Sequence, residues 1–131
     1  MKVIIAGGRD LFDPNPILEA IEESGFIITE LVCGMASGVD ENGRQWAEEK
    51  GLHIEEFPAK WDDLSHRDAI IKSNRYGKKY NTKAGIRRNQ QMAEFAEALI
   101  AIWDGKSAGT RNMIFEAKKR GLKVFVKYVK R

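Results

Sequence analysis

The chain has 131 residues, of which 43% are apolar and 31% charged, with a formal net charge of +3 and a single cysteine. That length gives one domain with a core of its own. No apolar run nears the ~20 residues of a membrane span, no basic stretch and long apolar run mark the N-terminus, and one cysteine excludes an internal disulfide or a zinc cluster. The cytosol is the expected compartment.

The elements alternate along the chain. Val3-Ile4-Ile5-Ala6 reads as a first strand, ending in Gly7-Gly8-Arg9-Asp10. Asn15 is a candidate cap for a first helix, with Pro16 in its first turn and Ile17, Leu18 and Ile21 on its buried face. Gly25 stops that helix, and a second strand follows at about 28–33. A loop, Gly34-Met35-Ala36-Ser37-Gly38-Val39-Asp40, leads into a helix from near Gly38 to Lys50 that buries Val39, Trp46 and Ala47 and stops at Gly51. His53 to Phe57 is a short third strand, closed by Pro58. Beyond a polar and basic stretch, a third helix is expected over Ala84–Phe95, turning Ile86, Met92 and Phe95 inward. A fourth strand over 98–103 ends in Asp104-Gly105-Lys106-Ser107-Ala108-Gly109-Thr110, and a fourth helix over 108–119 turns Met113, Ile114 and Ala117 inward. Lys118, Lys119 and Arg120 suit its negative end, Gly121 stops it, and Lys123–Val129 supplies a fifth strand.

Residues 59–83 interrupt this rhythm as a basic insertion, whose apolar patch Ala69-Ile70-Ile71 is either a turn of helix or a short strand. Residues 66–88 carry eight Lys or Arg against Asp68 alone, a net of +7, which leaves the rest of the chain at −4. A basic segment on an acidic body points to an anionic partner or ligand, or to a solvated loop.

Five strands alternating with helices predict a single α/β domain, 1–131, with a mainly parallel, doubly wound sheet. The order 3-2-1-4-5 sets the first and fourth strands side by side at the switch point, where such sheets bind ligands beyond the carboxyl ends of their strands. There three glycine-rich loops form a cradle suited to a phosphate-bearing small molecule, since glycine admits close backbone approach and helix starts present free N–H groups.

The candidate ligand-binding residues follow from that placement. Arg9 can grip phosphate and Asp10 accept ribose hydroxyls, or the two can brace the loop as a pair. Gly7, Gly8, Gly34, Ser37, Gly38 and Gly105 belong to the loops. Ser107, Gly109 and Thr110 are placed to contact phosphate or simply to cap a helix. Asp40 either caps the second helix or faces the ligand, and Arg88-Asn89 either binds phosphate or base or makes a surface ion pair. Asp104 and Glu116 are the candidates for general acid/base work, although Glu116 lies nearly two turns into its helix. Trp61 and Tyr80 can stack on a base or pack on the core. Cys33 reads as a buried small apolar residue, and His53 and His66 lack the spacing of metal ligands, so no metal site is expected.

Ile4-Ile5-Ala6-Gly7-Gly8-Arg9-Asp10 resembles the opening of the YspA/YpsA-related branch of the SLOG superfamily. Gly38-Val39-Asp40, Phe57-Pro58-Ala59 with Trp61, Ala84-Gly85 with Arg88-Asn89, and Trp103-Asp104-Gly105 with Ser107 and Gly109-Thr110 are similar to further motifs of that branch. Other branches include the Lonely Guy phosphoribohydrolases and the DNA-processing protein DprA. The resemblance implies a Rossmann-like, three-layer fold and a nucleotide or nucleotide-derived ligand. It departs from the Lonely Guy motif Gly-Gly-x-Gly-Thr-x-x-Glu, because Gly109-Thr110 is followed by Arg111, Asn112 and Met113. It departs again at Gly34-Met35-Ala36-Ser37-Gly38, where relatives often have Gly-Gly-Ala-x-Gly.

The leading expectation is binding of a nucleotide or nucleotide-derived phosphate ligand, as a sensor or carrier, with that ligand the only cofactor implied. One alternative is hydrolysis of an N-glycosidic bond in a nucleotide, assisted by Asp104 or Glu116. Another is single-stranded nucleic-acid binding through residues 66–88, with Tyr76 and Tyr80 as stacking residues; the same segment can instead close over a small anion as a lid. No membrane partner is expected. Homo-oligomerisation is compatible with the fold family, although no face announces it.

Overall fold

The computed structural model of the chain describes residues 1–8, 11–34, 38–57, 71–73, 79–81 and 84–130. Five parallel strands make one sheet: β1 (Lys2–Gly7), β2 (Glu30–Cys33), β3 (His53–Glu56), β6 (Ala98–Trp103) and β7 (Lys123–Tyr128). Their order is β3-β2-β1-β6-β7, which is the expected 3-2-1-4-5 when β6 and β7 are counted as the fourth and fifth strands. Between β3 and β6, β4 (Ile71–Ser73) and β5 (Lys79–Asn81) pair antiparallel as a second, two-stranded sheet. The strand alternative for the apolar patch at 69–71 therefore holds at Ile71, while its partner strand was not anticipated.

Four helices complete three layers. On one face α1 (Asn15–Ser24) and α2 (Val39–Glu49) pack through Ile17, Ala20, Val39 and Ala47 onto Val3, Ile5, Leu31, Ala98, Ile100 and Ile102. On the other, α3 (Ala84–Phe95) and α4 (Ala108–Lys119) pack through Met92, Ala93, Met113, Ile114 and Ala117 onto Ile4, Ala6, Val32, Leu99 and Ala101. Consecutive residues of a strand point to opposite faces, so strands covered on both sides read as unbroken apolar runs. That is why Val3–Ala6 and Ala98–Ile102 are continuously apolar, and every one of those residues is buried.

Details of the helices differ from expectation. Pro14, not Asn15, is the N-cap of α1, and Asn15 is its first residue, its amide donating to the Asp13 carboxylate at 3.0 Å. Leu18 is exposed, because Ile17, Ala20 and Ile21 already fill the stripe that meets the sheet. Ile86 is also 40% exposed, since the α3 face that meets its neighbours is built from Ala84, Asn89, Met92 and Ala93. Gly25, Gly51 and Gly121 all have φ near +70°, as their stop positions require.

A close approach lies at Gly7, the last residue of β1 and the register partner of Ile102. A Cβ there would stand 2.6 Å from the Ile102 carbonyl oxygen and 2.8 Å from Val39 Cγ2. Backbone and a buried helix start cannot both recede from it. Gly7→Ala is therefore expected to lower stability by about 1–3 kcal/mol, read from the denaturation midpoint at unchanged m-value. A wild-type midpoint would refute the packing argument.

Candidate functional site

The site grows out of the β1–β6 pairing. Because these strands are neighbours and run parallel, the loops that leave Gly7 and Trp103 emerge at the same end of the sheet. The loop after β6 is folded by Asp104, whose Oδ1 accepts the amides of Lys106 and Ser107, each at 2.8 Å. These two donors, Ser107 first, hold the Asp104 carboxyl below its ordinary range. Gly105 turns with φ +82°, and Trp103 Nε1 donates to the Ser107 carbonyl at 3.1 Å. Ser107 caps α4 with non-helical backbone but without a side-chain bond, and the first bond of the ladder runs from the Arg111 amide to its carbonyl. The amides of Ala108, Gly109 and Thr110 thus precede the helical ladder, as the opening N–H groups of a helix must. None of the described groups accepts from them.

Those residues line a cavity of about 370 Å³ between α3 and α4 above the end of β1. Ser107, Ala108, Gly109, Thr110 and Asn112 form its α4 side; Gly85, Ile86, Arg88 and Asn89 form its α3 side. Ala6, Met92 and Met113 supply apolar floor, and Gly7 and Asp40 close the end nearest β1. A Cβ on Gly109 would meet nothing within 4 Å, so this glycine opens space rather than relieving a clash.

Gly34 has a different task. A Cβ there would collide with the Arg88 guanidinium and stand 3.1 Å from Asp40 Oδ2. The second glycine loop thus begins as the seat of the protein's own arginine, which is drawn toward the buried Asp40. Arg88 Nε also donates to Asn89 Oδ1 at 3.2 Å. Asn89, itself buried, donates through Nδ2 to the Gly109 carbonyl at 3.3 Å and to Asn112 Oδ1 at 2.9 Å. Asn89 is therefore the brace between α3 and the opening turn of α4.

Of the residues singled out from the sequence, Gly7, Asp40, Arg88, Asn89, Ser107, Gly109 and Thr110 come together around the cavity. Gly8 is turned to structural use: its carbonyl accepts the amides of Leu11 and Val39, tying the β1 loop to the start of α2. Gly38 is the N-cap of α2 with φ +71°, and Gly34, Asp104 and Gly105 lie outside the described cavity wall. Arg9, Asp10, Ser37, Trp61, His66 and Tyr76 fall outside the described residues, as does the side chain of Tyr80. Glu116 is buried, but its Oε2 takes Arg120 Nη1 at 2.5 Å, and Arg120 also reaches Glu94; neither Glu116 nor Asp104 is brought to the cavity wall. The wall also includes Asn112, one helical turn beyond Gly109; that i, i+3 spacing was the available signal for it.

Away from the cavity, His53 Nε2 lies 3.2 Å from Glu30 and 3.1 Å from Glu55. Linear spacing gave no sign of this group, because the parallel register of β2 with β3 creates it. The ligand atoms of Glu30, His53 and Glu55 lie within 4.8 Å of one another, a geometry that could hold a metal ion, which the linear spacing did not suggest.

The sheet order and the helix-start cavity at its switch point define a Rossmann-like α/β domain. Residues 1–63 match the model of the YspA, cpYpsA-related SLOG family, which bears out over those residues the resemblance read from the motifs. Among solved structures, the X-ray structure of DNA processing protein A (DprA) from Streptococcus pneumoniae is similar, with a TM-score of 0.70 at 18% sequence identity. That match covers 95% of this chain and 49% of the DprA chain, so this chain spans about half the length of that protein. No curated protein matches the sequence. Among the described residues no helix is long and apolar enough to cross a membrane.

Cys33, at the end of β2, gives a test of how dry this end of the sheet is. Burial first, with the Asp40 and Glu56 charges adding, pushes its thiol from 9.0 up to about 12. Below pH 9 the thiol is protonated folded or unfolded and does not bias folding. Between 9 and about 12 only the unfolded chain releases the proton, so stability falls as pH rises, by about 1.4 kcal/mol per pH unit. Wild type is expected to lose stability more steeply over that window than Cys33→Ala, and native Cys33 is expected to resist thiol reagents at pH 8. Parallel curves together with rapid labelling would contradict this.

Proposed function

We propose that the protein binds a nucleotide or nucleotide-derived phosphate ligand in the cavity between α3 and α4, as a sensor or carrier. The observation that carries the reading is the opening turn of α4: three amides without acceptors among the described residues, at the positive end of a helix dipole, in residues that line a 370 Å³ space. That volume lies within the range of about 300–1,000 Å³ typical of small-ligand sites. Phosphate rests against Ala108–Thr110 with Arg88 contributing charge, and Asp40 at the other end accepts hydroxyls of a sugar. Arg9, Asp10 and Ser37, outside the described residues, are assigned to the same ligand by their positions in the sequence, after Gly8 and between Gly34 and Gly38.

Binding is favoured over N-glycosidic hydrolysis. Met113 stands where the Lonely Guy motif has its glutamate, Glu116 is committed to Arg120, and Asp104 to two backbone amides. Asp40 is the carboxylate in the described wall.

Screening adenine and guanine nucleotides, NAD, ADP-ribose and cyclic derivatives by thermal shift and calorimetry is expected to yield at least one stabilising ligand. Because a Cβ at Gly109 would meet no described atom within 4 Å, Gly109→Leu is expected to keep the melting temperature within about 2 °C while losing at least tenfold in affinity for that ligand. Absence of binding to folded wild type, or full binding by Gly109→Leu, would refute this placement.

The fold likeness to a DNA processing protein and the net charge of +7 over residues 66–88 support a second reading, single-stranded nucleic-acid binding. Fluorescence anisotropy with a labelled single-stranded oligonucleotide separates the two. Polymer binding through several phosphates must weaken steeply between 50 and 200 mM salt, by roughly a hundredfold or more. On the small-ligand reading the oligonucleotide binds weakly or not at all at 150 mM, and nucleotide affinity changes little over the same range.

A further inference from the structure

Hydrogen-bond polarity around Asn89 fixes a group that neither the motifs nor the family match single out. Arg88 Nε can only donate, so the Asn89 atom facing it must be the oxygen. The Gly109 carbonyl can only accept, so the Asn89 atom facing it must be the nitrogen. That nitrogen also faces Asn112 at 2.9 Å, which forces the Asn112 atom there to be its acceptor Oδ1. Reversing either amide would set two donors or two acceptors against each other. The Asn112 Nδ2 group, with two N–H donors, has no acceptor among the described residues, and Asn112 lines the cavity beside Ser107–Thr110.

We propose that Asn112 is a ligand-binding residue that donates its side-chain N–H to a phosphate-ester oxygen, with Asn89 as the positioning residue that holds its polarity. The inference rests on the nucleotide-site reading above and deepens it by assigning a specificity-determining donor. The opening amides of α4 are donors as well, so the α4 side of the cavity presents donors to an acceptor-rich, anionic group. An aspartate in place of Asn112 would present only acceptors and a negative charge to that group. The lost charge-assisted bond and the added repulsion correspond to a loss of about ten- to a hundredfold in affinity.

The test compares wild type with Asn112→Asp by calorimetry, using AMP and GMP against adenosine and guanosine. Expected is a ten- to hundredfold loss for whichever monophosphate binds, with less than a threefold change for its nucleoside. A side-chain ¹⁵N–¹H spectrum of wild type gives a readout independent of any variant's folding. The Asn112 amide pair, identified by its loss in Asn112→Asp, is expected to shift on adding the bound monophosphate. In Asn89→Asp the new carboxylate would accept from Asn112 and reverse its amide, so the pair should cease to respond. Equal monophosphate affinity for wild type and Asn112→Asp, or an unmoved Asn112 resonance in wild type, overturns the inference and leaves the nucleotide reading standing. Failure of wild type to bind either monophosphate overturns the inference alone if another nucleotide binds, and both readings if none does.

Discussion

The site depends on one contact, the pairing of β1 with β6 and the room it leaves at Gly7. With Gly7 in register with Ile102 and pressed against Val39, the ends of two strands and the start of α2 share a space that excludes a side chain. Strand order alone would bring the loops to one edge, but a residue with a Cβ at position 7 would drive α2 or β6 outward. The cavity lies directly over this junction, and Gly7, Ala6 and Asp40 form its inner end. Packing of the junction and the shape of the cavity's inner end are thus set by the same missing atom.

From that junction outward, several described polar groups are satisfied within the protein. The Gly8 carbonyl takes two amides, including that of Val39 at the start of α2. Asp104 takes two more, and Glu116 is neutralised by Arg120. Gly34 accommodates the Arg88 guanidinium. Among the described groups that line the cavity, the first turn of α4 and the Asn112 amide are without a described acceptor. Ala108 and Gly109 are exposed, but Thr110 is buried and Asn112 half-buried, and donors so placed are costly unless water or a ligand takes them. On the proposed reading, that excess of donors over acceptors suits an anionic, oxygen-rich group.

Most of the fold was legible because its signals are local. Unbroken apolar runs marked strands covered on both faces, and glycines at 25, 51 and 121 marked helix ends through their positive φ. The strand order was legible because the ligand-binding logic of parallel sheets requires a switch point. Leu18 and Ile86 escaped because periodicity names a helix's apolar residues without saying how wide its buried stripe is. The β4–β5 pairing escaped because Lys-rich, short strands carry almost no alternation.

The candidate site was legible in position more than in role. A glycine looks the same in sequence whether it admits a ligand, a backbone or a side chain of the protein itself. Gly109 opens space, Gly7 accommodates a carbonyl, and Gly34 makes way for Arg88. Only the third dimension separates these tasks, because in each the partner lies far away in sequence. The same holds for Asn89, whose polarity toward Asn112 is dictated by Arg88 on one side and Gly109 on the other. A motif written along the chain registers Arg88-Asn89 and Gly109-Thr110 as separate signatures. The hydrogen bonds make them one device, in which α3 fixes the geometry of the opening turn of α4.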